Sequence, residues 1–151
     1  MRMKEILDGV ASSVSRLWPD VPVYRGVKPK DIQRPSFLLE GGPVTLTQLG
    51  GRQERNTAQT RLTCFPPVDG TGGSEAEELL ETMEGLLELF RGGYIQIGGR
   101  APHVVEATGK HGPDYAEVTA KLEFYEVSNA RHGSSEEKTL MEKFFTNIDK
   151  E

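Results

Sequence analysis

Between Tyr115 and Val127 the apolar side chains recur at every second residue. Val118, Ala120, Leu122 and Phe124 alternate with Thr119, Lys121, Glu123 and Tyr125. A period of two is that of a β-strand with one face buried and one face wet. The pattern recurs twice upstream. Val44-Thr45-Leu46-Thr47-Gln48-Leu49 alternates, and so do Ala58, Thr60, Leu62 and Cys64, with Gln59, Arg61 and Thr63 between them. Gly50-Gly51-Arg52-Gln53 turns the chain between these two runs, so residues 44–65 read as a long β-hairpin. His103 to Thr108 supplies a further strand, and antiparallel pairing with 115–127 across a turn at 109–113 is the simplest arrangement.

A sheet with one apolar face needs a second layer, and the sequence supplies helices for it. Ile6, Leu7, Val10, Val14 and Leu17 lie on one face of a 3.6-residue period, which predicts a helix from Lys4 to Leu17. Pro19 stops it, because proline lacks the backbone donor and disfavours helix in the residue before it. Trp18 stands at this exit as an aromatic lid. Leu79, Leu80, Met83, Leu86, Leu87 and Phe90 form a second stripe, predicting a helix over about 75–91. Ser74 and Glu77 have capping-box spacing, and Gly92-Gly93 suits the C-terminal stop. Beside this stripe lie Thr82, Gly85 and Leu89, where the glycine would let a neighbouring subunit come close.

The remaining segments are shorter. Val21-Pro22-Val23-Tyr24 reads as an edge strand, since its proline cannot serve a central ladder. Lys28 to Pro35 is a polar loop, and Ser36 to Glu40 reads as a buried strand that Gly41-Gly42-Pro43 should break or bulge. Ser128 to Gly133 is a polar hinge. After it Leu140, Met141, Phe144, Phe145 and Ile148 share a helical face, with Ser134 and Glu137 as another capping box. The expected fold is α+β: a mixed, mainly antiparallel sheet with a long β-hairpin, packed by two amphipathic helices, plus a C-terminal helix. Residues 1–128 form the domain, and 129–151 are hinge and C-terminal helix. That helix must bury five large apolar residues, either against its own domain or on an adjacent subunit.

Bulk properties exclude several classes. The 151 residues suit one domain that buries about two thirds of its surface on folding. Cys64 is the only cysteine, so an internal disulfide and a cysteine-based zinc site are both excluded, and a reduced cytosolic setting is expected. The N-terminus lacks the apolar run of a signal peptide, and no run of about 18 apolar residues is present to span a membrane. Lysine and arginine total 18 against 23 acidic residues, a net charge of −5. A tight DNA binder would carry a basic face; this balance allows only passing contact with DNA.

Chemical motifs fare no better. His103, His111 and His132 lack the spacing of convergent metal ligands. Cys64 falls on the apolar side of its strand, where it reads as a small buried hydrophobe. Gly70-Thr71-Gly72-Gly73-Ser74 superficially resembles a phosphate cradle, but no lysine follows, and Glu75, Glu77 and Glu78 would repel an anion. The glutamates of the second helix read as a solvated face. Asp69 and Asp114 are dispersed carboxylates that nothing in the sequence pairs for acid–base work. No catalytic residue, cofactor or metal is expected, and no enzyme.

One family resemblance stands out. The N-terminal helix followed by Leu17-Trp18-Pro19-Asp20-Val21-Pro22-Val23-Tyr24, then Arg34-Pro35-Ser36-Phe37-Leu38-Leu39, resembles the tail terminator proteins of tailed bacteriophages and phage-derived tail-like particles. The order of elements is similar over about 125 residues. The glycine-rich loops and the tail after Ser128 are not among the features that carry the resemblance. The resemblance implies a structural subunit that forms a hexameric ring with copies of itself on the completed tail tube, halts tube polymerisation and presents the surface for the head–tail connector. The sheath is a further partner in contractile particles. The implied location is the virion tail, assembled in the host bacterial cytoplasm. Exposure makes the hairpin tip, with Arg52, Glu54 and Arg55, the first candidate for contacts, and loops 28–34 and 109–114 the next. Leu140, Met141, Phe144, Phe145 and Ile148 complete the candidate interface. The competing reading is a monomeric adaptor or ligand-binding domain unrelated to a virion.

Overall fold

A computed structural model of the chain describes residues 1–70 and 72–127. The elements run α1 (Met3–Leu17), β1 (Val23–Arg25), β2 (Ser36–Gly50), β3 (Gln53–Phe65), α2 (Ala76–Glu88), β4 (His103–His111) and β5 (Ala116–Val127). The fold is α+β, with two helices and one five-stranded mixed sheet ordered β1-β2-β3-β5-β4. Two compact units are distinguished: Met1–Thr45 with Thr57–Phe124, and Leu46–Asn56 with Tyr125–Glu151. Only residues 46–56 and 125–127 of the second are described. The expected hinge and C-terminal helix, with the Ser134–Glu137 capping box, lie outside the described residues.

The larger unit holds the core. α1 contributes Ile6, Val10 and Val14, all buried at four-residue spacing. The Glu5 carboxylate accepts the backbone N–H of Arg2 at 2.8 Å, satisfying one of the donors a helix start leaves open. Leu17 departs from the expected stripe and is 57% exposed. The helix ends there, and Trp18 covers the core instead, its ring 5.3 Å from that of Phe37. From the sheet come Phe37, Leu39, Ala58, Leu62 and Cys64, with Val118, Ala120, Leu122 and Phe124 from the alternating face of β5. Ile95 and Ile97 close the core from the loop between α2 and β4. Gly9 is what allows this closure, since a Cβ there would sit 2.7 Å from Ile97 Cγ1.

β1 is an edge strand that begins directly after Pro22, and it lies parallel to β2 with Val23 opposite Phe37 and Arg25 opposite Leu39. β4 and β5 pair antiparallel from His103↔Glu123 to His111↔Ala116. Their strands run on past Gly109, so the turn is tighter than expected, closed by the Gly112 N–H on the Tyr115 carbonyl at 2.9 Å. β2 also continues as strand through Gly41-Gly42-Pro43 to Gly50.

α2 differs in detail from the expected helix. Its N-cap is Glu75, without a side-chain cap. The Ser74 hydroxyl is engaged elsewhere, donating to the Pro67 carbonyl at 2.9 Å, so the Ser74–Glu77 box does not form. Leu79 and Leu86 are buried, Met83 and Leu87 pack at the core margin, and Leu80 is 45% exposed. The stripe of Thr82, Gly85 and Leu89 faces this chain itself. Leu89 packs on the core, and a Cβ on Gly85 would meet Trp18 at 3.6 Å. At that distance the contact is ordinary van der Waals packing, so the Trp18 indole does not itself require a glycine at position 85.

Candidate protein interface

The polar groups of this molecule tie loops together. Arg34, on the loop before β2, is the clearest case. Its Nη1 donates to the carbonyls of Pro66 and Asp114, each at 3.0 Å, and its Nη2 meets the Asp114 carboxylate at 2.8 Å. The guanidinium also lies 5.4 Å from the centre of the Phe65 ring, and the Lys28 ammonium lies 4.9 Å from it. One side chain thus joins the 28–35 loop, the exit of β3 and the start of β5. These two cations cover Phe65 on the face of β3 that the alternation assigns to solvent, and Thr63 on the same face is also buried.

Both dispersed carboxylates have structural duties. Asp114 is held by Arg34, and Asp69 accepts the Gly73 N–H at 3.3 Å, closing its own glycine loop. Asp8 sits between Lys4 at 3.0 Å and Arg25 at 2.7 Å. The hydrogen bond from Arg25, reinforced by Lys4, holds the Asp8 carboxyl below its ordinary value. Burial, with a smaller push from Glu78, raises the Cys64 thiol to about 12, so it stays protonated and unreactive near neutrality. His103 lies 4.0 Å from the Glu123 carboxylate and beside the Tyr94 ring. Among the described residues no three His, Cys, Asp or Glu side chains converge as metal ligands.

The surface is more informative. From Gly41 to Gly50 every residue of β2 is exposed except half-buried Thr47, including Val44, Leu46 and Leu49. No charged residue occurs between Glu40 and Arg52. At the tip Arg52 is exposed and Arg55 half-buried. Glu54 departs from the expectation of exposure: it is buried and hydrogen-bonded by Gln48 at 3.4 Å. Leu140, Met141, Phe144, Phe145 and Ile148 lie outside the described residues. Sequence reasoning missed the Arg34 node, because its partners are 32 and 80 residues away and leave no local signal.

The described residues thus form a small α+β fold with polar groups that tie its loops together and an uncharged, exposed strand segment. The comparison with known families places it. The sequence model of a family described as "Phage tail terminator protein" matches residues 5–133. The chain belongs to this family of structural phage tail proteins, and is accordingly a virion tail component that meets other tail components. The search of curated proteins finds no match. Among the solved structures that match, one is 19% identical with a TM-score of 0.41, over 84% of this chain and 96% of that one. Among the described residues no helix is long and apolar enough to cross a membrane.

Proposed function

We propose that this protein is the subunit of a ring, six copies in the reading favoured here, that caps the tail tube, stops its polymerisation and forms the surface for head–tail joining. The observation that carries this is membership of the tail terminator family along most of the chain. Termination works by mismatched faces. One ring face copies what a tube subunit offers to the next, and the other lacks the site that would recruit a further tube ring. Head-to-tail contacts that close on themselves give such a ring. Its partners are further copies of itself, the tube protein, the head–tail connector and, in contractile particles, the sheath.

The β2–β3 hairpin is the contact element in this reading. A natural strand left open to water is usually blunted by charge. Between Gly41 and Gly51 no charge is present, while Val44, Leu46 and Leu49 face solvent. That combination suits a surface that another protein covers, with Arg52 exposed at the turn. No residue of the chain has a catalytic role here. The net charge of −5 fits a ring past which DNA moves without sticking. Negative-stain imaging of the purified protein mixed with its tube protein tests the proposal. Rings at the ends of short tubes are expected; tubes that elongate unhindered in its presence would overturn it.

A further inference from the structure

Beside α2 the surface opens into a groove of about 370 Å³. Trp18, Phe37 and Pro66 form its floor. Glu78 and Glu81 stand exposed on its rim, three residues apart and so on one side of the helix. Neither carboxylate has an ion-pair partner among the described residues. An apolar floor beside unpaired negative charge fits a protruding element that carries apolar side chains next to a cation.

The tip of the β2–β3 hairpin is such an element. Leu46 is 50% and Leu49 43% exposed. Gly50 and Gly51 then turn the chain at positive φ, and a Cβ at either would meet nothing within 4 Å, so this end of the hairpin is narrow and open. Arg52 follows, exposed and likewise without an ion pair among the described residues. We propose that the hairpin tip of one copy docks in the α2 groove of a second copy, with Leu49 against Trp18 and Phe37, and Arg52 at Glu78 and Glu81. The inference rests on the reading that copies of the protein assemble with one another.

Two observations select a second copy as the partner. No residue of the tip lines the groove, and both leucines are exposed in the single chain, so the hairpin does not fill the groove of its own chain. The chain also carries both halves of the match, apolar with positive at the tip and apolar with negative in the groove. A copy that docks its tip still offers its own groove to the next. Contacts between such unlike surfaces run head to tail and close into a ring when the rotation allows.

Disulfide trapping combined with charge reversal tests this. In a Cys64→Ala background, one full-length chain carries Gln53→Cys beside the tip. A second, isotope-labelled, carries Thr82→Cys on the groove rim. The mixture is oxidised alone and with tail tubes. A covalent dimer of unlike chains is expected, at least tenfold above the like-chain dimers. Arg52→Glu in the first chain should cut its yield at least tenfold, and Glu78→Lys with Glu81→Lys in the second should then restore it. Absence of the unlike dimer under both conditions would overturn the proposal. So would a yield indifferent to the charge reversals, or a chain bearing both cysteines that closes its bond at monomer mass. Tail length in cells separates the two readings. A missing cross-link, where the wild-type gene gives tails of one length and its deletion does not, refutes this docking alone. A cross-link that forms as expected, where deletion leaves tail length unchanged, refutes termination and leaves the docking standing.

Discussion

The two halves of β2 differ more from each other than either differs from a neighbouring strand. Ser36 to Leu39 is buried throughout, with β1 beside it and the core residues of α1 and β3 around it. Gly41 to Gly50 keeps strand geometry with almost every side chain in water. Backbone conformation and burial are therefore separate outcomes. Alternation and β-branched residues are enough to extend the chain, while burial depends on what the rest of the protein, or another protein, lays over it. The first half belongs to the fold. In the reading proposed above, the second belongs to the assembly.

That contrast can be broken by substitution. Leu39→Ala should lower unfolding stability by about 2–5 kcal/mol, the usual cost of a cavity at a fully buried leucine. Leu46→Ala should change it by no more than about 0.5 kcal/mol. Urea midpoints measure both, and equal losses would erase the distinction. Arg34→Met comes next. It strips the Pro66 and Asp114 carbonyls of their shared donor, and leaving such acceptors unsatisfied costs about 1–3 kcal/mol. A stability equal to wild type would show that the node is dispensable.

Two pH effects are smaller. Unfolded, the Cys64 thiol ionises near its ordinary value of 9.0, whereas burial holds the folded thiol protonated up to about 12. The unfolded state thus binds fewer protons in that window, and wild-type stability should fall relative to Cys64→Ala as the pH rises from about 9 toward 12. Parallel pH curves for the two proteins would contradict this. Asp8 has the opposite sign, since its folded carboxyl lies below the ordinary 3.8. Its contribution is present above that value and is lost as acid titrates the folded group. Asp8→Asn should be slightly less stable at neutrality and match wild type in strong acid. Because the pair is at the surface, this is the smallest effect expected.

Periodicity carried most of the fold. The four-residue spacing of Ile6, Val10 and Val14 and the alternation of Val118 to Phe124 are local signals, and both faces are buried as their spacing predicts. The misses share a physical cause. Ser74 has the right spacing for a cap, but its hydroxyl is taken by Pro67, a choice made by tertiary structure. Glu54, next to a polar turn, reads as exposed because pattern cannot reveal what covers it. The proposed assembly surface is the least legible part, since a surface that waits for a partner looks in sequence much like one that faces water.

Tail length in producing cells tests the central claim most directly. With the gene deleted, electron micrographs should show tails of widely scattered, extended length without heads, and restoring the intact chain should return them to one length. Head-joined tails of normal, uniform length in the deletion strain would contradict the account.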